Sequence, residues 1–369
     1  MSSSPTISIC LPIFNGEQFL VQAIESALNQ TFTDFELLIC DDASSDNSFE
    51  IARAYSAKDN RVFIWRNDCN RGLFENYNHI MSKATGKYIK PFAQDDVWDQ
   101  TLLARLKSPL EQEHNLSLVA CNRQYVTDAG VPILTPRQLA DTATITGAKQ
   151  QLDCLLQTSN WIGEPSVVMF PRRFACNGFD ERFYHLADLE LWLRILANGD
   201  YHYVHDCLCN VHKHDASATN RNLKGLLFAI DLLLLGEKHA EVLHGAGMAV
   251  HDYKLMAASN ISRFLWHLFI NNEVDLPELL SITPRDARLR DILLAQFKEL
   301  AFYALLSGAE NEKKSKQLID SLHDRLEQSE HDLNNVLNSR TWRMTKLIRS
   351  ARSIARSFKM EKTTRYLHL

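Results

Sequence analysis

Hydrophobic positions follow two periods along the N-terminal half of the chain. Ile7 to Phe14 is a nearly unbroken apolar run, which predicts a buried strand. Pro12 marks the point where pairing must stop. Asn15-Gly16 turns the chain. From Glu17, the residues Phe19, Leu20, Ala23, Ile24, Ala27 and Leu28 recur at helical spacing. The alternation then repeats. Phe35–Cys40, Val62–Trp65, Tyr88–Phe92 and Leu116–Cys121 predict strands. Helices are expected from Asn47, around Asn76–Met81 and over Leu102–Gln112. Strands alternating with helices predict an α/β fold, a doubly wound and mostly parallel sheet flanked by helices.

The pattern changes after Cys121. Asp128-Ala129-Gly130 predicts a hairpin tip, Thr146–Leu156 a short helix and Val167–Phe170 another strand. Gly178–Phe183 is a loop, and a helix opens at Asp188 and ends at Asn198-Gly199. Tyr201–His205 and Leu208–Val211 predict two strands, closed by His212-Lys213-His214. From Asn222 to Ser307 the spacing is helical, broken at Pro277 and Pro284. Ile319, Leu322, Leu326, Leu333 and Val336 take heptad positions, with Ser329 interrupting them, so 315–337 is a candidate contact of a homodimer, and a solvent-exposed stalk accounts for the pattern at least as well. The pattern divides the chain into a catalytic-type α/β domain at 1–219, a helical domain at 220–310, and a stalk and tail at 311–369.

Charge alters this picture at one end. The net charge of −5 argues against nucleic-acid binding. From Arg340 onward, however, nine Lys or Arg stand against one acid, Glu361. On a helical wheel Met344, Leu347, Ile348, Ala351, Ile354, Ala355 and Phe358 share one face, opposite Lys346, Arg349, Arg352, Arg356 and Lys359. A basic amphipathic helix of this kind suits an anionic membrane surface; the same helix could also pack on the protein's own body with its basic face solvated. The most apolar stretch, Leu226–Leu235, is too short to span a bilayer and contains Asp231. The N-terminus lacks the pattern of a signal peptide. Eight cysteines without a CxxC pair are read as reduced thiols. A cytoplasmic protein, peripheral on the inner face of the membrane, is therefore expected.

The chemistry concentrates at Phe92-Ala93-Gln94-Asp95-Asp96-Val97-Trp98, where an apolar run ends in two adjacent carboxylates. Like charges this close raise each other's pKa unless a cation lies between them. Hard cations such as Mg²⁺ or Mn²⁺ prefer oxygen ligands. Ligands also bind beyond the carboxyl ends of strands in open α/β sheets. A solvated turn with an N-cap accounts for these two residues equally well.

Taken in order, these residues resemble the family 2 glycosyltransferases of the GT-A fold, over roughly residues 7–215. Leu11-Pro12-Ile13-Phe14-Asn15-Gly16-Glu17 is similar to the family's first-strand signature, and Leu28–Glu36 to its next block. Asp41-Asp42-Ala43-Ser44-Ser45-Asp46 resembles the turn whose second Asp binds the nucleotide base. Asn70-Arg71-Gly72 resembles a loop that holds the nucleotide. Gln94-Asp95-Asp96 stands where the family has its metal-binding aspartates. Asp188–Arg194 resembles the block whose leading Asp is the catalytic base. His214 falls near a histidine that binds metal or diphosphate in some of these enzymes. The resemblance implies nucleotide-sugar contacts from Pro12, Phe14, Asn15, Glu17, Asp42, Arg71, Asn78 and Asp95. It implies a Mn²⁺ or Mg²⁺ ion on Asp95, Asp96 and His214, and Asp188 as base. Glu164, Pro165 and Ser166 are assigned to the acceptor side.

Two positions depart from the family pattern. Ala93 replaces an Asp at the metal motif, which leaves open which of Asp95 and Asp96 is the direct ligand. Ala187 replaces the Glu that usually precedes the base. The Gln-x-x-Arg-Trp motif of the processive synthases does not occur, which favours single addition. Ser339–Thr345 is similar to a C-terminal motif of bacterial surface-polysaccharide transferases. The resemblance thus implies an inverting transferase that moves one sugar from a nucleotide-diphosphate donor, and the basic amphipathic tail, which would bring it to a membrane, points to a lipid-linked glycan acceptor, as in lipopolysaccharide, O-antigen or capsule assembly. The competing expectation is a non-catalytic scaffold of the same fold that assembles a glycan-synthesis complex at the membrane, for which Ala93 is the best support. A nucleotidyltransferase would need a Gly-rich, Arg-containing phosphate loop after the first strand, and Phe14-Asn15-Gly16-Glu17 is not one.

Overall fold

A computed structural model describes residues 4–136, 139–175, 177–213, 227–254, 256–257 and 260. Four strands open the fold: β1 (Ile7–Ile13), β2 (Phe35–Asp41), β3 (Val62–Arg66) and β4 (Tyr88–Pro91). They lie in the order β3-β2-β1-β4, and every pair is parallel. The connecting helices are α1 (Glu17–Leu28), α2 (Ser48–Ser56) and α3 (Leu73–Lys83). β1 and β2 are buried along their whole length, as strands covered by helices on both faces must be.

Beyond β4 the sheet is mixed. β5 (Val97–Trp98), absent from the sequence-based reading, precedes α4 (Leu102–Gln112) and β6 (Leu116–Val126). β7 (Pro132–Leu134) folds back on β6 as a hairpin. β8 (Ala143–Ile145), α5 (Gly147–Leu156), β9 (Val168–Pro171) and α6 (Ala187–Leu196) follow. β10 (Asp200–His212) completes the order β4-β9-β6-β10-β5. β9 joins the two halves, running antiparallel to both β4 and β6.

Two expectations need correction. Pro12 lies inside β1 and pairs with Cys40 of β2. The carbonyls of Thr6 and Cys10 accept from β4-side amides. Pro12 has the same parity, so its missing N–H faces the side where the β1–β4 register has already ended, at Cys10 and Pro91. It stops pairing with one neighbour only. The two strands expected at 201–205 and 208–211 are one strand. β10 stays paired with β6 throughout, with register shifts between Val204 and Cys209. The polar interruption at Asp206-Cys207 is therefore a bulge rather than a strand end.

Gly86 shows how tightly β4 meets β1. A Cβ there would lie 2.6 Å from the Ser8 amide nitrogen and 2.8 Å from the Ile7 carbonyl carbon. The Gly86 amide donates to Ser8 Oγ, whose hydroxyl donates to the buried Glu36 carboxylate. A further helix, α7 (Leu227–Lys238), joins the same hydrophobic core through Leu232, Leu233 and Leu235. Residues 315–337, the basic tail and His214 lie outside the described residues.

Candidate active site

The site lies at the carboxyl ends of β1, β2 and β4 and is closed by the 160–166 segment and the start of α6. On the β1–β2 side two loops are tied together. Asn15, in the left-handed region at φ 47°, accepts from the Ser45 amide, while its own amide donates to Ser44 Oγ. The carboxylate of Glu17 accepts from the Asn47 amide and side chain. Gln94 holds Phe14 at both ends, accepting from its amide at 2.8 Å and donating to its carbonyl at 3.0 Å. The Phe14 ring remains 39% exposed.

Asp42 is buried, and its carboxylate accepts from Asn67 Nδ2 and from the amides of Arg71 and Gly72, each at 2.9 Å. It thereby fixes the loop that the sequence placed against a nucleotide. Arg71 turns its guanidinium outward, 3.5 Å from Glu75. Asn78 is placed elsewhere. Its carboxamide clamps the backbone of Phe179, accepting at 2.7 Å and donating at 2.9 Å, which secures the loop leading to α6.

Asp95 is half-buried and Asp96 almost wholly buried. Asp96 Oδ1 accepts from the His212 amide at 3.2 Å, and the Ser166 hydroxyl also bonds this carboxyl. Burial first, and then the Asp95 charge, hold the Asp96 carboxyl well above the usual carboxylate range. Ser166 is a junction: its hydroxyl accepts from the Ala93 amide, and its carbonyl accepts from Lys90 Nζ and Trp98 Nε1. Lys90 has no exposed surface, and burial pulls its ammonium down to about 7. Tyr77 donates to the Phe92 carbonyl beneath the carboxylates. Burial first, and then the Asp96 charge, push its phenol well up, with Cys10, Asp95 and Asp188 adding to the effect.

Asp188 is half-buried near the N-terminus of α6. Its Oδ2 accepts from Asn160 Nδ2 at 2.9 Å and its Oδ1 from the Leu189 amide at 2.7 Å. Burial pushes its carboxyl up to about 7, against the pull of these two donors. Asn160 also bonds both the amide and the carbonyl of Gly163, and Trp192 Nε1 donates to the same carbonyl. Beside it, Glu164 pairs with Arg123 at 2.6 Å and accepts from the Tyr125 hydroxyl at 2.7 Å. Burial works to raise the Glu164 carboxyl, but Arg123 and then Lys213 hold it below its ordinary value. Pro165 contributes a carbonyl within 3.4 Å of Lys90 Nζ.

The structure thus brings Asp95, Asp96, Asp188, Glu164 and Ser166 together, with Asp42 and the Phe14–Glu17 loop across the strand ends. Asn160, Tyr77, Asn67 and the Arg123–Tyr125 pair were missed by the sequence-based reading. None belongs to a motif with a characteristic spacing. The one available signal was Arg123 following the apolar run of β6, a charge that needs a partner if buried. The donor set suits a hard divalent cation. Such ions bind through one or two carboxylates together with substrate phosphates, and a buried Asp96 beside Asp95 is short of positive charge. Among the described residues no group of three or more His, Cys, Asp and Glu side chains forms a metal cage.

Residues 8–173 match glycosyl transferase family 2. The chain is 34% identical over 132 residues to the putative glycosyltransferase EpsE of Bacillus subtilis, covering 36% of this chain and 48% of that protein. It therefore spans about half the length of that relative. It is 27% identical over 220 residues to UDP-Glc:alpha-D-GlcNAc-diphosphoundecaprenol beta-1,3-glucosyltransferase WfgD of Escherichia coli, covering 58% of this chain and 80% of that one. Among solved structures, S. aureus TarS 1-349 in complex with UDP-GlcNAc superposes with a TM-score of 0.56 at 15% identity, over 83% of this chain and 92% of that one. The mannosyltransferase PcManGT from Pyrobaculum calidifontis, in complex with GDP-Man and Mn²⁺, gives 0.50 at 14% identity, over 82% and 88%. These structural likenesses establish the GT-A fold.

Proposed function

We infer, for a chain whose residues 8–173 belong to glycosyl transferase family 2, an enzyme that transfers a single sugar from a nucleotide-diphosphate donor to a hydroxyl of a lipid-linked glycan. The observation that carries this reading is Asp188. A general base works best with a pKa near the operating pH. Burial holds this carboxyl at about 7, while Asn160 and the Leu189 amide orient it. Asp188 takes the proton of the acceptor hydroxyl as that oxygen bonds to the anomeric carbon, and the bond to the diphosphate breaks on the opposite face. One displacement inverts the anomeric centre. Base assistance of this kind contributes roughly 10²–10⁴-fold.

On the donor side, the Phe14–Glu17 loop and the Asp42-anchored 70–72 loop form the edge against which the nucleotide lies. Asp95 and Asp96 would hold Mn²⁺ or Mg²⁺, which when bound neutralises charge on the departing diphosphate. On the acceptor side, Glu164 is held ionised by Arg123 and Lys213, ready to accept from sugar hydroxyls.

Three observations support a membrane-bound acceptor. The β6–β7 hairpin, whose β6 strand bears Arg123, carries Val131, Ile133 and Leu134, each more than half exposed, on its turn and β7. WfgD acts, by its name, on a diphosphoundecaprenol glycolipid. The sequence of 341–360 has the basic amphipathic pattern of a surface helix. Among the described residues no helix is long and apolar enough to cross a membrane. A peripheral position on the inner face, in surface-polysaccharide assembly, follows from this reading, with 315–337 as a dimer contact.

The test is nucleotide-diphosphate release from a panel of UDP-, GDP- and dTDP-sugars, with Mn²⁺ or EDTA and a membrane-glycolipid extract as acceptor. Metal-dependent turnover of one donor, lost in Asp188→Asn, is expected. Undiminished turnover in that variant would remove Asp188 from the mechanism. Truncation before Ser339 should abolish co-sedimentation with anionic vesicles.

A further inference from the structure

Asp231 is a carboxylate in an apolar stretch with no part in the chemistry above. It lies in α7, beyond the segment that matches the family, and it has no exposed surface. A carboxyl group in such surroundings is costly unless hydrogen bonds satisfy it. They do so here. Its Oδ2 accepts from the amides of Tyr184 at 3.0 Å, His185 at 2.6 Å and Leu186 at 2.7 Å. Burial raises this carboxyl to about 7 against the pull of those amides.

These three residues lead directly into α6, and Asp188 is the second residue of that helix. The first amides of a helix need acceptors, usually from an N-cap side chain. The N-cap here is Leu186, which has none to offer. Asp188 Oδ1 itself takes the Leu189 amide, and Asp231, 45 residues further along the chain than Leu186, accepts from the N-cap amide and the two before it, which fixes how the chain enters the helix. The same helix reaches the other side of Asp188. Lys238 Nζ lies 2.7 Å from Glu190 and also contacts Asp180, and Glu190 is held in turn by Arg194. α7 therefore grips the chain at 180, 184–186 and 190, on both sides of the carboxylate.

We propose that Asp231 is a positioning residue for Asp188: by holding the amides of 184–186 it sets the direction in which the Asp188 carboxylate meets the acceptor hydroxyl. This rests on Asp188 being the base. A misplaced reacting group costs turnover far more than donor binding, because the donor is held by other loops.

Two variants test it. Asp231→Ala removes the acceptor. Asp231→Leu keeps a side chain of similar length but removes both acceptor oxygens, and it decides the matter if the alanine variant fails to fold. Using the sugar nucleotide that the panel identifies, kcat should fall about 10- to 100-fold, while the donor KM stays within about twofold. Amide exchange at 184–186 should accelerate, with β1 and β2 unchanged. A kcat within about twofold of wild type in a folded variant would overturn the proposal. So would a fall in kcat matched by an equal loss of donor affinity, which would mark Asp231 as structural only. Full turnover in Asp188→Asn would instead remove the base and with it the proposal, and amide exchange would still report on the Asp231 contact by itself.

Discussion

Replacing Asn160 by alanine should move the pH at which turnover begins, rather than abolish turnover. Asn160 Nδ2 donates to Asp188 Oδ2 at 2.9 Å, and this bond favours the ionised carboxylate. A hydrogen bond to a charged group is worth roughly 1.5–3 kcal/mol, or about 1–2 pKa units at 1.36 kcal/mol per unit. Asp188 is half-buried, so the lower figure applies. Its carboxyl then rises from about 7 by about one unit. At pH 7 the ionised share drops from about one half to about one tenth, a fall in rate of roughly fivefold. At pH 9 most of the loss should be recovered. The assay is kcat/KM for the donor from pH 5.5 to 9.5, wild type against Asn160→Ala. If the acid limb stays in place while the high-pH plateau falls, Asn160 acts by shaping the 160–163 turn, and the electrostatic account of Asp188 fails.

Two further predictions concern the fold. Gly86→Ala places a methyl group against the backbone of Ile7 and Ser8, so β1 and β4 must separate, and stability should fall by about 1–3 kcal/mol in urea; an unchanged midpoint would show that the strand ends yield more freely than their packing implies. Lys90, buried and lowered to about 7 from 10.5, binds its proton less well folded than unfolded. Its contribution to stability therefore rises with pH above about 7, and Lys90→Met should remove a gain of roughly 2 kcal/mol between pH 7 and 9. Equal pH slopes for wild type and variant would mean that its three carbonyl contacts and the Trp98 ring keep the ammonium charged.

The order of elements was legible in the chain because periodicity is local. Val62–Trp65 and Leu102–Gln112 follow from spacing alone, and the structure has strand and helix there. The positions of Asp42, Asp95 and Asp188 were equally legible, since each marks a junction between periodic segments. Strand pairing beyond β4 was not, because the antiparallel insertion of β9 between β4 and β6 joins residues far apart in sequence. The continuity of β10 through Asp206-Cys207 was hidden for a related reason. A polar pair looks like a strand end until a neighbouring strand tolerates the bulge.

What only the tertiary structure decided is the state of each carboxylate. Asp188 and Asp231 are the same residue type, each within an apolar neighbourhood of sequence, and burial raises both to about 7. One meets a side-chain amide from the 160–163 turn, the other three backbone amides at the entrance to α6. Sequence determines where a carboxylate stands along the chain. Its proton affinity and its direction depend on the water removed and the donors brought up by distant segments, and those exist only once the chain has folded.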